Sequence, residues 1–349
     1  MSDSTADYDY ELPIELIAQR PVEPRDASRL LVLNRERRTI THRRFADLPE
    51  LLLPGDLLVV NESRVVPAKL EGFRTQTRGH WEGLFLREDR PRTWQVIGQT
   101  RGKLQAGETI TLQGNQLNGQ VGETLELRLL EQGTGGAWLV EPLSEENVLD
   151  LLQRFGRVPL PPYMEREADT ADVTRYQTTY ATTPGSVAAP TAGLHFTPEL
   201  LEALQSSGVG VARVTLHVGL GTFRPIGVER LSEHTMHAEW CELPEETAEQ
   251  IARTKAAGGR VIAVGTTTVR TLESATGVGG WRGETNLFIR PPYEFRRLDG
   301  LITNFHLPKS TLMVLVATFA GREYMLQAYQ EAVQARYRFY SYGDAMLIL

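Results

Sequence analysis

The sequence of 349 residues carries a net charge of −7, and 41% of its residues are hydrophobic. Its length predicts about two domains, and its single cysteine excludes a disulfide framework or a thiolate metal cage. The acidic balance, taken alone, argues against a nucleic-acid partner. The longest apolar run, residues 312–320, is too short to cross a membrane. Because the N-terminus is unlike a secretory or transit peptide, we expect a cytoplasmic protein.

Residues 1–65 predict the first part of an α/β domain. Residues 10–18 favour a short helix that is entered through Pro13. Two short aliphatic runs, residues 30–33 and 57–60, are bounded by turn residues and predict buried strands.

A basic segment between the two strands runs against the acidic balance of the whole chain. It contains one acidic residue, Glu36, among several cations. Such a segment is either solvated surface charge or a face that contacts phosphates. The candidates for phosphate contacts are Arg35, Arg37, Arg38, Arg43 and Arg44.

Residues 66–152 differ in pattern from residues 1–65. Short segments in which apolar and polar residues alternate are separated by glycine-containing turns. Residues 109–112 and 125–129 are examples, and in the second segment Leu125, Leu127 and Leu129 share one strand face. Several strands at hairpin spacing predict a small antiparallel β-barrel. A helix through residue 154, with Ser144 as its N-cap, and a proline-rich linker at residues 158–163 follow the barrel.

Residues 153–349 alternate between helix and strand. The predicted strands are residues 209–217, 261–265 and 301–303, and the predicted helices begin at Pro198, Pro244 and Leu312, the first with Thr197 as its cap. Strand, crossover helix and strand make a βαβ unit, which requires a parallel sheet. The expected fold is an α/β domain with a mostly parallel sheet that carries an inserted small antiparallel β-barrel.

The clearest shape for binding a ligand is in residues 261–273, where an aliphatic strand breaks at Gly265 and a helix begins. Thr266 and Thr267 would lie at the helix N-terminus, where unpaired N–H groups favour a carboxylate or a ribose hydroxyl. Ordinary threonine capping is the structural alternative. Neither a Walker A loop nor GxGxxG after a strand is present, which disfavours a nucleotide triphosphate loop, a Rossmann site and the usual methyltransferase pocket.

Histidines in glycine-rich and proline-rich segments are the candidates for proton transfer near neutral pH. These are His195, His217, His237 and His306, and a structural role is the alternative for the first two and the last. The three-residue spacing of His234 and His237 would allow a metal site, but HExxH, a Cys pair and a matching carboxylate are absent. A serine hydrolase is disfavoured because GxSxG is absent.

The chain resembles, nearly end to end, the S-adenosylmethionine:tRNA ribosyltransferase-isomerases of queuosine biosynthesis, and six blocks carry the resemblance. The blocks are DLLVVNESRVVPAK (56–69), GSVAAPTAGLHF (185–196), TLHVGLGTF (215–223), residues 261–273, TNFHLPKSTL (303–312) and RFYSYGDAM (338–346). One segment departs from the family: residues 79–85 keep Glu82 but carry the unusual Trp81 and Gly83.

The resemblance implies a monomeric enzyme without a metal or a separate redox cofactor, with a barrel inserted into an α/β domain. Its activity would move the ribosyl part of S-adenosylmethionine to 7-aminomethyl-7-deazaguanine in the wobble position of tRNA. The product is epoxyqueuosine, and adenine and methionine are released. The alternative hypotheses are a tRNA-binding module without catalytic activity and a tRNA methyltransferase that uses the same cosubstrate.

Residue chemistry then assigns hypothetical roles within this activity. His195 and His217 would share the acid and base work, with His306 in reserve. The methionine or ribose portion of S-adenosylmethionine would lie on Thr266, Thr267 and Arg270, and the same crevice would be lined by Asn61, Glu62 and Arg64. Phosphates of tRNA would contact Arg35, Arg37, Arg38, Arg43 and Arg44.

Overall fold

The computed structural model describes residues 3–115, 122–219, 221 and 225–349. The strands are β1 Arg29–Asn34, β2 Thr39–Arg44, β3 Leu57–Asn61, β4 Ser63–Val65, β5 Lys69–Arg74, β6 His80–Arg90, β7 Thr93–Thr100, β8 Thr109–Gln113, β9 Thr124–Gln132, β10 Ala137–Pro142, β11 Gly156–Arg157, β12 Thr183–Ser186, β13 Gly210–Leu216, β14 Glu239–Leu243, β15 Val261–Val264, β16 Trp281–Thr285, β17 Gly300–Asn304 and β18 Ala345–Ile348. The α-helices are α1 Leu48–Leu51, α2 Val148–Phe155, α3 Thr170–Arg175, α4 Pro198–Ser206, α5 Glu245–Ala256, α6 Thr266–Ser274, α7 Thr311–Ala320 and α8 Arg322–Gln334.

A nine-stranded sheet forms the α/β domain in the order β16-β14-β13-β3-β15-β17-β18-β1-β2. Its centre, β13-β3-β15-β17, is parallel. These strands read as continuous aliphatic runs because both of their faces are covered. Toward the edges β14, β18 and β1 run the other way, while β2 and β16 again run with the centre. The expected α/β domain with mostly parallel strands is confirmed.

The two faces of this sheet bury separate hydrophobic cores. Alternate residues of β1 divide between them: Leu31 and Leu33 pack with the helices α7 and α8, whereas Leu30 packs with α4 on the other face. No helix of the described ranges has both the length and the apolar character needed to cross a membrane.

The β-barrel closes through six antiparallel strands in the order β5-β6-β7-β10-β9-β8, with β8 pairing back to β5. On β9 the residues Leu125, Leu127 and Leu129 are buried and the residues between them are exposed, as the alternation predicts. The short strand β11 adds to β5 outside the closed ring, so elements attached to the barrel continue to Arg157.

The unusual segment at residues 79–85 is explained by the packing of the barrel. The indole of Trp81 is 1% exposed and lies against Gly83 and Gly98. A Cβ atom at Gly83 would lie 2.1 Å from Cη2 of the indole. The large and the small residue therefore compensate each other in volume.

Two local predictions were wrong. The helix expected from Ser144 begins at Val148, because Asn147 is the N-cap and its side chain accepts the Asp150 N–H at 3.0 Å. Residues 10–18 contain one short 3-10 turn, Ile14–Leu16, in place of an α-helix.

Candidate active site

The carboxyl ends of β13, β3, β15 and β17 meet at one edge of the sheet, where open α/β sheets usually bind ligands. Predicted site residues follow each of these strands. Asn61 ends β3, Thr266 and Thr267 follow β15, His217 follows β13 and His306 follows β17. We call this edge the upper edge.

Asn61 holds the strands of the upper edge together. It is fully buried, and its Nδ2 atom donates to the Leu216 carbonyl at 3.0 Å and to Thr267 Oγ1 at 3.2 Å. Its Oδ1 atom accepts the backbone N–H of Leu216 at 3.1 Å and that of Ser63 at 3.0 Å. Because these bonds occupy both the nitrogen and the oxygen of the amide, Asn61 has a supporting role beneath the site.

The turn from β15 into α6 has the predicted shape. Gly265 takes a φ of 90°, which favours glycine, and α6 begins at the next residue. Thr268 turns its hydroxyl back to the Val264 carbonyl at 2.7 Å. Thr266 and Thr267 are largely buried, at 6% and 7% exposure.

Arg270 lies one turn further along α6 and makes a buried ion pair with Glu239 of β14. The guanidinium also donates to the carbonyls of Thr285 and Leu287, at 3.2 and 3.3 Å. These bonds use three of the five N–H donors of an arginine. Glu239 in turn accepts the backbone N–H of Gly219 at 2.7 Å, so the pair is tied to the segment that follows β13.

A cavity of about 120 Å³ opens beside this ion pair, between β14, α6 and the start of α7. The side chains of Arg270, Glu239, Met236 and His237 contribute to its wall. Pockets for drug-sized ligands measure about 300–1,000 Å³, so the cavity is too small to enclose such a ligand whole. Residues 220, 222 and 223 of the block at residues 215–223, together with residue 224, lie outside the described residues.

His217 combines partial exposure with an unsatisfied nitrogen. Its ring stacks on Trp240, and its Nδ1 atom is buried without a hydrogen-bond partner among the described residues. Gly185 packs against the other side of the ring, since a Cβ atom there would lie 2.7 Å from Cε1 of His217. Burial lowers the pKa of the His217 imidazole, so the ring is neutral at pH 7.

Trp240 and Glu239 are successive residues of β14 and therefore point to opposite faces of the sheet. Consequently, His217 lies on one face at the end of this strand and the Arg270–Glu239 pair lies on the other. A ligand that reaches both must cross the rim at the carboxyl ends of the strands.

His195 has both of its ring nitrogens occupied by protein groups. Nδ1 is 2.7 Å from the Ser28 hydroxyl and Nε2 is 3.1 Å from the Asn304 amide, while the ring stacks on Phe45. Burial, together with the charges of neighbouring arginines, lowers the pKa of His195 to about 3. The imidazole is therefore neutral, and it links the residue before β1 to the end of β17.

His306 is buried as well. Its Nε2 atom is 2.7 Å from the Thr303 hydroxyl, and burial lowers the pKa of its ring to about 3. Its backbone N–H donates to the Tyr329 hydroxyl at 2.9 Å. The structure thus does not gather the three predicted imidazoles around one cavity.

Glu62 and Arg64 also differ from the expectation of a shared crevice. Glu62 forms an ion pair with Arg213 at 3.1 Å. Arg64 is exposed and lines a cavity of about 80 Å³ at the junction with the barrel. Neither side chain lines the cavity beside Arg270.

A larger cavity, of about 510 Å³, lies at the opposite edge of the sheet. It is lined by Arg38, Tyr293, Tyr324 and the junction between α7 and α8 at Gly321. None of the residues predicted for catalysis or for binding the cosubstrate lines it.

Comparison with known proteins decides the family. The family model described as "Queuosine biosynthesis protein" matches residues 5–348. The chain belongs to the queuosine biosynthesis protein family. A relative from Desulfitobacterium hafniense, named S-adenosylmethionine:tRNA ribosyltransferase-isomerase, is 50% identical over 347 residues, which cover 98% of this chain and 99% of the relative. A relative of the same name from Thermotoga maritima is 48% identical over 347 residues and 99% of each chain.

A solved structure of this queuosine biosynthesis family agrees with the fold. The crystal structure of S-adenosylmethionine tRNA ribosyltransferase from Thermotoga maritima, at 2.00 Å resolution, has a TM-score of 0.56 and 39% identity. The match covers 98% of this chain and 100% of that chain.

The five arginines predicted to contact tRNA lie at two opposite edges of the nine-stranded sheet. Strand β1 runs antiparallel to the central strands, so it ends at the edge opposite the upper edge, which we call the lower edge. The turn that follows it, with Arg35, Arg37 and Arg38, therefore lies at the lower edge. Strand β2 returns to the upper edge, where Arg43 and Arg44 lie. Arg35 is also engaged, because it donates to the Asp299 carbonyl at 2.6 Å and lies over the Phe319 ring. The five therefore do not form one face.

Several site residues were missed at the sequence level, namely Gly185, Glu239 and Trp240. His237, a candidate for proton transfer and, with His234, for metal binding, lies with His234 in the loop before β14, and no group of metal-ligating residues was found among the described residues. The alternation in residues 239–243 could have shown Glu239 on a buried strand face. A buried carboxylate requires a cationic partner, which points toward Arg270.

Proposed function

We propose that the reaction takes place across the rim formed by the carboxyl ends of β13, β3 and β15. The chain is an S-adenosylmethionine:tRNA ribosyltransferase-isomerase of queuosine biosynthesis, since relatives of that name match it over nearly their full length. The ribosyl part of S-adenosylmethionine moves to the aminomethyl group of 7-aminomethyl-7-deazaguanine at the wobble position. Epoxyqueuosine forms in tRNA, and adenine and methionine leave.

His217 is the general base in this proposal. The positive sulfur of S-adenosylmethionine acidifies the C5′ hydrogens, so a neutral imidazole can take a proton from that carbon. The unpaired Nδ1 atom of His217 is the observation that carries the assignment, because a buried nitrogen without a partner is costly unless a ligand supplies one. Trp240 and Gly185 fix the plane of the ring between them.

The methionine end of the cosubstrate occupies the cavity beside Arg270. Two N–H donors of the guanidinium remain for the carboxylate, and Glu239 attracts the ammonium group. The Met236 side chain lines the same cavity and supplies apolar contact for the methylene groups of the methionine portion. The ribose and adenine extend over the rim toward His217, past Thr266 and Thr267.

Asn61 and His195 act as supports of this site. Each of them uses both of its polar ends on the protein, and each connects strands that form the upper edge. They hold the strand ends in register without a contact to the substrate.

We also propose that the enzyme works as a monomer in the cytoplasm and without a metal. The sulfonium already carries the positive charge that makes C5′ acidic, and adenine needs only a proton to leave. Light scattering on the purified chain tests the monomeric state, and activity after exhaustive chelation tests the absence of a metal. A dimer at working concentration, or activity that returns only with added metal, would refute them.

Analysis of the products tests the function as a whole. The chain is incubated with S-adenosylmethionine and tRNA that carries the aminomethyl deazaguanine base. Free adenine and methionine in equal amounts are expected, with the ribosyl carbons on the tRNA. S-adenosylhomocysteine as the product would identify a methyltransferase, and tRNA binding without consumption of the cosubstrate would identify a binding module.

A further inference from the structure

The upper edge of the sheet carries a group of arginines beside the site, at the ends of β1 and β2. We propose that Arg43, Arg44 and Arg336, which together with Arg29 between them we call the Arg44 patch, bind the phosphate backbone of the tRNA whose base enters the crevice. This inference rests on the proposed function, since it names the surface that presents the RNA to that same site.

Packing brings the members of the Arg44 patch together. Arg29 and Arg44 are directly opposite each other in the register of β1 and β2. The Arg29 guanidinium lies 3.7 Å from the centroid of the Tyr337 ring and donates to the Ala335 carbonyl at 2.7 Å. Because Arg336 is the residue between them in the chain, it lies beside Arg29. Arg43 faces the other side of β2, so the patch wraps around the end of this edge strand.

The charge of the patch is not neutralised by neighbouring carboxylates. Among the described residues, none of the four arginines forms an ion pair, and Arg43, Arg44 and Arg336 are exposed. Three carboxylates lie nearby without forming an ion pair to a guanidinium of the patch: Glu331 is 2.9 Å from His42 Nε2, and Asp47 and Asp344 accept the backbone N–H groups of Arg44 and Arg29. Exposed guanidinium groups without carboxylate partners are suited to phosphates, which they bind in bidentate fashion.

A short path of contacts connects the patch to the site. The backbone N–H of Arg29 donates to Asp344 at 2.9 Å, and the carbonyl of Asp344 accepts from Asn304 at the end of β17. Only β18 lies between β1 and β17. At a strand spacing of about 4.8 Å, β1 is therefore roughly 15 Å from β15 and roughly 24 Å from β13, which His217 follows. An RNA strand held at the patch can reach the rim with a base that is turned out of its stack.

The turn between β1 and β2 supplies a matched control. Arg37 and Arg38 are also exposed and form no ion pair among the described residues, but they lie at the lower edge. Along β2, six residues at about 3.4 Å each separate the two ends by roughly 20 Å. The same number of positive charges is thus available in the same chain, away from the site.

The test compares Arg44→Glu/Arg336→Glu with Arg37→Glu/Arg38→Glu, which change the net charge equally. Affinity for a fluorescent anticodon stem-loop is measured by anisotropy between 50 and 300 mM salt, and Tm is checked for each protein. We expect the patch variant to bind at least about tenfold more weakly. The slope of log affinity against log salt concentration should become less steep by about two. The turn variant should keep both values within about twofold.

Equal losses in both variants would overturn the inference, because they would show a response to net charge alone. Unchanged binding by a folded patch variant would overturn it as well. Failure of the proposed function has a different signature, namely that the wild-type chain releases no adenine from S-adenosylmethionine. Arg44→Gln/Arg336→Gln should fall between the wild type and the patch variant, as expected for the loss of two contacts without charge reversal.

Discussion

The indole of Trp240 stacks on the imidazole of His217, with ring centroids 5.2 Å apart and planes inclined by 21°. The two residues lie opposite each other at the ends of β14 and β13, and the His217 N–H donates to the Trp240 carbonyl at 3.0 Å. The stack leaves the imidazole little freedom to rotate. The proposed function requires such a fixed orientation of the ring toward a substrate that approaches across the rim.

Replacing His217 by Gln should slow adenine release by about 10²- to 10⁴-fold, the usual contribution of a general base. The amide keeps much of the ring's volume but cannot accept a proton near pH 7. Single-turnover adenine release measures the effect, and an unchanged Kd for S-adenosylmethionine shows that binding is retained. A rate within threefold of wild type would remove His217 from the mechanism.

Gly185→Ala should reduce turnover without a comparable loss of tRNA binding. The new methyl group would lie 2.7 Å from the His217 ring, and the φ of 143° at Gly185 adds backbone strain. Gly227→Ala is the matched control, since nothing lies within 4 Å of a Cβ atom there. If both variants have the same kcat, the contact with Gly185 does not position the ring.

Breaking the Arg270–Glu239 pair should weaken both the fold and the binding of S-adenosylmethionine. Glu239→Gln leaves Arg270 as a buried charge without a counter-ion, which typically destabilises by about 3–5 kcal/mol. Urea unfolding gives this value, and calorimetric titration with S-adenosylmethionine and with methionine gives the affinity.

The double variant Glu239→Gln/Arg270→Met separates the two effects. It removes both charges, so stability should recover relative to Glu239→Gln while affinity for the cosubstrate stays low. Recovery of affinity together with stability would show that the pair serves only the fold.

Acid should destabilise the protein through His195 and His306, whose pKa values are both lowered to about 3 by burial. The unfolded chain titrates these rings near pH 6.5. Below that pH the unfolded state binds more protons than the native state, so stability is fully present above pH 6.5 and is lost as pH falls. Each ring contributes a slope of about 1.4 kcal/mol per pH unit between pH 6 and pH 4.

Unfolding in urea at several pH values measures this slope. His195→Asn removes one titrating ring and should lower the slope by one proton, even if the variant is less stable at every pH. A variant with the wild-type slope would show that His195 is protonated in the native state.

Local sequence patterns predicted the elements of the site better than its chemistry. The aliphatic runs of β3 and β15, the break at Gly265 and the cap at Thr197 are decided by neighbouring residues, and the structure has them as predicted. The state of His195 depends on Ser28 and Asn304, which are 167 and 109 residues away in the chain. A histidine in a loop-like segment gives no local sign that distant strands occupy both of its nitrogens.

The arginine cluster shows the same limit. Its spacing in the sequence predicts one basic face, but the antiparallel pair β1 and β2 places its two halves at opposite edges. Strand direction within a mixed sheet depends on how distant segments pair, as β1 does with β18 at the other end of the chain. Charge density read along the sequence therefore overestimates the size of a surface patch.

The pairing of Trp81 with Gly83 and Gly98 predicts a compensating double variant in the barrel. Gly83→Ala places a methyl group on the indole and should destabilise by about 1–3 kcal/mol, the usual cost of overpacking. Trp81→Leu removes the indole and should cost about 2–5 kcal/mol, because it leaves a cavity among the barrel's buried leucines.

In Trp81→Leu/Gly83→Ala the added methyl group fills part of that cavity, so the double variant should be more stable than the sum of the single effects. The coupling, measured from urea unfolding of all four proteins, should favour the double variant by about 0.5–3 kcal/mol. Adenine release should stay near wild type in every folded variant, because Trp81 packs in the barrel core and not among the residues of the rim. Additive effects would show that the indole does not rest on Gly83.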